Sequence, residues 1–227
     1  MRSSRRQVCV IGLGHFGASL ARSLGPHCEV LALDRNIARV NALSESVQQA
    51  LCVDARDFSA LAAVVSSSFD EAVVSIGEGM EASVLTTLHL KRIGVPVIRA
   101  KADSDDHASI LGSVGATAVI FPERETAQRL AMQILNPHLL DFVALSCDHR
   151  LVTVRTPASF VGRSLAELAL RSRFGVFVVA VKRPDGSVAV FLPGPDHVCA
   201  ADEELTVIGR TEDTLRLPGA GPLVNGR

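Results

Sequence analysis

From Gln7 to about Leu135, short apolar runs alternate with longer stretches in which apolar residues recur every three or four positions. The short runs predict strands at Val8–Leu13, Glu29–Asp34, Gln48–Val53, Glu71–Ile76, Pro96–Lys101 and Thr117–Phe121. The longer stretches predict helices at His15–Leu24, Ile37–Leu43, Phe58–Val65, Glu81–Ile93 and Asp106–Val114. A sixth helix is predicted from Pro122 to Leu135, and Asn136-Pro137 ends it, because a proline disfavours helix in the residue before it. Strand and helix in strict alternation imply an α/β fold with a Rossmann-like, doubly wound parallel sheet. Its ligands belong in the crevice beyond the strand C-termini.

After residue 140 the rhythm changes. Strand-like runs at Asp141–Ser146, Leu151–Val154, Val176–Lys182, Val188–Phe191 and Leu205–Ile208 surround a single predicted helix, Ser164–Leu170, and Pro184-Asp185-Gly186 is a turn that makes a hairpin. The division that follows is a nucleotide-type domain over 7–121 and a crossover helix and linker over 122–140. A small α+β domain over 141–211 and a Pro/Gly-rich, disordered tail over 212–227 complete it. The second domain is poor in polar catalytic pairs and reads as a unit for binding or dimerisation.

Composition acts mainly by exclusion. With 23 Lys and Arg against 24 Asp and Glu, the net charge of −1 gives no electrostatic footprint for nucleic acid, and Arg2, Arg5 and Arg6 read as a solvated tail. No apolar stretch approaches the roughly 18 to 20 residues of a membrane-spanning helix. Met1–Arg6 leads into the first strand without a signal-type apolar region, so a cytoplasmic protein is expected. The five cysteines are scattered without C-x-x-C spacing, which argues against metal or disulfide frameworks. Cys9 and Cys52 are expected to pack as small apolar residues on strands.

The chemistry starts at Gly12-Leu13-Gly14-His15-Phe16-Gly17, a G-x-G-x-x-G turn between a strand and a helix. Gly12 permits the tight turn, Gly14 lets a pyrophosphate approach the backbone, and Gly17 lets the helix pack close to the sheet. The N–H groups of the helix start, with His15 and Phe16 in the loop, face the phosphates. Asp34 closes the second strand, where it accepts from ribose hydroxyls and repels a 2′-phosphate. The neighbouring Arg35 complicates that, since a guanidinium accommodates such a phosphate, and Asp34 as an N-cap for the helix at Ile37 is the alternative. Asp54-Ala55 and Ser75-Ile76-Gly77 are pocket walls at the ends of strands three and four. Lys101, ending strand five, is either a cation for phosphates or an ordinary solvated lysine.

A dehydrogenase on this scaffold needs a general acid or proton relay near the nicotinamide. Tyrosine is absent, and His138, His149 and His197 show no carboxylate partner pattern in the sequence. The enzyme reading, a small NAD-dependent dehydrogenase, therefore stands second to a non-enzymatic sensor, and a redox-sensing DNA-binding regulator third.

The glycine loop, Leu33-Asp34, Asp54-Ala55, Glu81-Ala82-Ser83-Val84-Leu85-Thr86-Thr87-Leu88 and Val119-Ile120-Phe121-Pro122-Glu123 resemble the cytoplasmic gating subunits of Trk/Ktr potassium-uptake systems. These are built on RCK, or KTN, domains. Ser164-Leu165 and Arg171-Ser172-Arg173-Phe174-Gly175 resemble that family's C-terminal RCK domain. The resemblance implies dimers assembled into an octameric ring, peripheral to the inner face of the membrane beneath a potassium-translocating subunit. It implies ATP/ADP or NAD(H) held by Gly12, Gly14, Gly17, Asp34 and Asp54, to which the reading of the residues adds His15, Phe16, Arg35, Ala55, Ile76, Gly77 and Lys101 as candidates. Glu123 would lie at a divalent or monovalent cation site between subunits, and Arg171 and Pro193 at a site for cyclic di-AMP. Many members carry arginine where this chain has His15, so the ATP-to-ADP preference is expected to be weaker here or to depend on pH.

Overall fold

A computed structural model describes residues 5–77, 79–135, 139–185 and 189–218, and the chain divides into two compact units, residues 1–123 and 124–227. In the first unit the strands β1 (Gln7–Ile11), β2 (Glu29–Asp34), β3 (Gln49–Cys52), β4 (Glu71–Val74), β5 (Ile98–Lys101) and β6 (Ala118–Ile120) form one parallel sheet in the order β3-β2-β1-β4-β5-β6. The order reverses between β1 and β4, which puts the ligand crevice at their C-terminal ends.

Alternate residues of each strand serve opposite faces, and both faces are covered. Val8, Val10, Val30 and Ala32 pack with Ala21 of α1 (His15–Leu24) and Val40 of α2 (Ile37–Asn41). Cys9, Ile11, Leu31 and Leu33 pack with Leu61 of α3 (Phe58–Ala62), Leu90 of α4 (Met80–Ile93) and Leu111 of α5 (Asp105–Val114). A parallel sheet buried on both sides needs apolar residues at successive positions, which is why these strands read as continuous runs in sequence. At the start of β4, away from the crevice, buried Glu71 is satisfied by Arg6 at 2.6 Å and by Arg99.

The helix α6 (Pro122–Leu135) spans the division between the units. In the second unit β7 (Leu139–Ala144), β8 (His149–Arg155), β9 (Phe177–Lys182), β10 (Val190–Phe191) and β11 (Glu204–Arg210) make an antiparallel sheet ordered β10-β9-β11-β8-β7. Val152 and Val154 alternate inward and meet Leu168, Leu170, Leu205 and Phe160. The doubly wound class with a small α+β second unit is thus the observed architecture.

Three expectations are corrected. The single helix over 164–170 is two short ones, α7 (Leu165–Leu168) and α8 (Leu170–Phe174), because Ala169 takes a left-handed conformation at φ 49° and breaks the hydrogen-bond ladder. The expected tail from 212 instead carries α9 (Thr211–Leu215), and Leu217 is 3% exposed in the second core, so an apolar side chain finds a place that local composition does not announce. Cys52 is exposed rather than packed, since β3 is an edge strand and the thiol reaches the Arg35 carbonyl at 3.4 Å. The turn residue Gly186 and strand residue Val188 lie outside the described residues, but β9 and β10 do pair antiparallel, Val190 with Val181.

Candidate functional site

The crevice of the first sheet is a cavity of about 350 Å³ lined by the strand ends. Gly12 has φ +92°, a region that L side chains avoid, and an added Cβ would lie 3.0 Å from the Ile76 nitrogen. Its N–H donates to the Leu33 carbonyl at 2.8 Å, and its carbonyl accepts from the Ser75 hydroxyl. Gly17 does not line the cavity. It sits beneath the loop, where a Cβ would collide with the Gly12 oxygen and the Ser75 hydroxyl.

Gly14 caps α1, no side chain accepts from the first-turn amides there, and no acidic residue occupies that turn. A Cβ on Gly14 would meet nothing within 4 Å, so this stretch of backbone is open on its cavity side. Unpaired N–H groups and the positive end of a helix, opening onto a cavity, fit an anionic group such as a phosphate.

Asp34 is buried, with one oxygen accepting from the Leu13 amide at 2.6 Å and the other from the Asn36 amide at 2.8 Å. It therefore braces the glycine loop against β2. The expected alternative, a cap for the helix at Ile37, falls instead to Asn36, whose side chain accepts from the Ala38 amide at 2.9 Å. Arg39 stands 3.6 Å from the Asp34 carboxylate.

Further along the rim, Asp54 and Arg56 form a two-pronged pair, Nη2 to Oδ2 at 2.5 Å and Nε to Oδ1 at 2.9 Å. The guanidinium holds the Asp54 carboxyl down at about 2. On the opposite rim the Lys101 ammonium meets Glu123 at 2.5 Å and lowers that carboxyl below its usual range. Lys101 is thus a partnered cation rather than a free surface lysine.

Gly12, Gly14, His15, Phe16, Asp34, Arg35, Asp54, Ala55, Ile76, Gly77, Lys101 and Glu123 all line this one cavity. Ser75, expected as a pocket wall, and Ala82 of the family-like run line it too, as do Arg39 and Arg56, which were not singled out in the sequence. Arg39 and Arg56 follow an acid by five and two positions, which ordinarily signals nothing beyond a solvated helix start. Arg171 and Pro193 line a separate cavity of about 670 Å³ in the second unit, where the Arg171 guanidinium lies 5.6 Å from the Phe177 ring centroid.

Among the described residues no group of three His, Cys, Asp or Glu side chains could hold a metal ion. Two histidines do have carboxylate partners, against expectation: His149 with exposed Asp148 at 2.8 Å, and His197 with buried Glu203 at 3.2 Å. The second pair is closed by the fold, not by a sequence pattern. His138 lies outside the described residues.

The TrkA-N domain family matches residues 8–122, and the TrkA-C domain family matches 149–217. This chain belongs to the TrkA family. Ktr system potassium uptake protein C of Bacillus subtilis (strain 168) is 36% identical over 93% of this chain and 96% of its own length. The TrkA-N and TrkA-C pair also superposes on the GsuK channel with a TM-score of 0.68 at 16% identity. That match covers 98% of this chain but 41% of the channel's. The GsuK channel bound to NAD gives a TM-score of 0.63 at 15% identity, over all of this chain and 41% of that one. Among the described residues no helix is long and apolar enough to cross a membrane.

Proposed function

We propose that this chain is a cytoplasmic regulatory subunit whose TrkA-N domain binds ATP/ADP or NAD(H) and whose occupancy gates a membrane potassium-translocating partner. The observation that carries the reading is the single cavity in which an uncapped helix start, the loop-bracing Asp34 and four basic side chains meet. Arg35, Arg39, Arg56 and Lys101 outnumber the lining carboxylates Asp34, Asp54 and Glu123, which favours a phosphate, and the strand order supports phosphate, ribose and base in succession from β1 to β3. The Bacillus subtilis relative, matched over nearly its full length, is a potassium uptake protein, which supports a potassium-translocating partner.

The protein acts by ligand-dependent population of alternative ring shapes, dimers assembled to an octamer, and not by turnover of substrate. The TrkA-C cavity beside Arg171 and Pro193 takes cyclic di-AMP, and Glu123 contributes to a cation site between subunits once Lys101 is displaced. Titration of the purified full chain with ATP, ADP, NADH and cyclic di-AMP, with oligomeric size followed by sedimentation, tests the model. Nucleotide affinity with a ligand-dependent ring is expected, and a monomer without nucleotide affinity overturns it. Because His15 lines the phosphate end, His15→Arg is expected to raise the ATP-to-ADP affinity ratio by about tenfold, the worth of one charge-assisted hydrogen bond. An unchanged ratio removes His15 from phosphate discrimination.

A further inference from the structure

One wall of the cavity is anchored from behind by a buried histidine. His89 lies two turns along α4 from the lining residue Ala82, is 7% exposed, and places Nδ1 3.3 Å from the Ala55 carbonyl oxygen. A carbonyl oxygen only accepts, so Nδ1 carries the proton and donates. The first residue of α3, Phe58, sets its ring edge-on to the imidazole, with centroids 5.4 Å apart and planes at 75°. The loop between β3 and α3 is therefore tied to one side chain at Ala55, and the helix that follows it at Phe58. On its outer side that same loop carries the Asp54–Arg56 clamp that lines the cavity.

The sheet order says which part of a ligand this loop meets. The glycine turn follows β1, Asp34 ends β2, and Asp54-Ala55 follows β3. With phosphates at the start of α1 and ribose at Asp34, the next group outward is the base.

We propose that His89 is a positioning residue for base recognition: its Nδ1–H fixes the Ala55 carbonyl and so sets the Asp54–Arg56 clamp against the base of the bound nucleotide. This rests on the nucleotide reading above. His89 acts on the base end only, since the phosphate cradle is built from β1, α1 and Asp34.

The test uses the full chain as wild type, His89→Leu and His89→Gln, the last retaining a side-chain N–H that can donate to Ala55. Calorimetry measures affinity for ADP and for inorganic tripolyphosphate, which has no base. Hydrogen exchange on the unliganded proteins follows the amides of residues 54–58. His89→Leu is expected to weaken ADP about tenfold, the equivalent of one lost hydrogen bond, while tripolyphosphate changes by less than about twofold. Exchange should quicken at 54–58, and His89→Gln should restore both readouts. Unchanged ADP affinity, equal loss for both ligands, or a Gln variant no better than Leu overturns the role of His89 alone. A wild type that binds neither ligand overturns the nucleotide reading, and this role with it.

Discussion

The two units present cavities by opposite means. In the first, the floor is main chain: Gly12 makes the turn, Gly14 and the helix start present their backbone to the cavity, and side chains enter as charged pairs around the rim. In the second, Leu165, Leu170, Val176 and Phe177 wall an apolar space with Arg171 as its charged member. The backbone conformations follow suit. Among the described residues the first unit has only glycine where φ is positive, as at Gly12, whereas the second, besides Gly162 and Gly175, also holds Ala169, Leu192 and Asp202 there, Ala169 at φ 49° between two short helices. A main-chain site depends on where side chains are missing, and a side-chain site on where they are packed.

The sharpest way to break this contrast is to add atoms to the first floor. Gly17→Val drives Cβ into the Gly12 carbonyl, which is backbone and cannot swing away, so a loss of more than about 3 kcal/mol is expected in denaturant unfolding. Gly14→Ala, with open space around it, should leave stability unchanged and weaken nucleotide binding instead. In the second unit the large effect comes from removing atoms. Leu168→Ala, at a fully buried site, should cost about 3 kcal/mol by the same measurement while ADP affinity holds.

Two substitutions should stabilise, one in each unit. Ala169→Gly relieves a left-handed conformation and should add about 1 kcal/mol. Thr86→Val removes a buried hydroxyl that has no hydrogen-bond partner among the described residues, for a gain of about 1 kcal/mol. Both read out as a raised unfolding midpoint.

The smallest effect concerns acid. The Asp54 carboxyl lies below its ordinary value, so the stabilisation from its pair with Arg56 is present above the usual carboxylate range and is lost as pH falls through about 2. The pair is largely exposed, so the midpoint of thermal unfolding should not move measurably between pH 7 and 5. A carboxyl NMR titration should show Asp54 titrating near 2 in the wild type and within the usual range in Arg56→Ala.

How much was readable depended on how locally each feature is encoded. The six strands and five intervening helices of the first unit are legible because a doubly buried parallel strand must be continuously apolar, and the crossover helices must be amphipathic. In the second unit α7 was expected, but the break at Ala169 and α8 after it escaped, as did α9. A helix of little more than one turn does not repeat its period, and unlike α2 and α3 these are not flagged by strands in strict alternation; Leu217 is followed by a proline and glycines that point to a tail. Among the site residues, Gly12, Asp34 and Asp54 declare themselves by spacing from the strand ends. Arg56 and His89 do not, because their roles depend on neighbours brought up by folding.

The amino-acid sequence by itself determined the alternation of elements, the glycine turn and the acid ending β2, since these follow from backbone sterics and from periodicities of a few residues. Only the tertiary structure decided that Lys101 is neutralised by Glu123, that Asp34 braces the loop instead of capping a helix, and that His197 meets a buried Glu203. Those outcomes depend on charges and donors brought within about 3 Å of one another, a distance at which hydrogen bonds form. Separation along the chain carries no record of it.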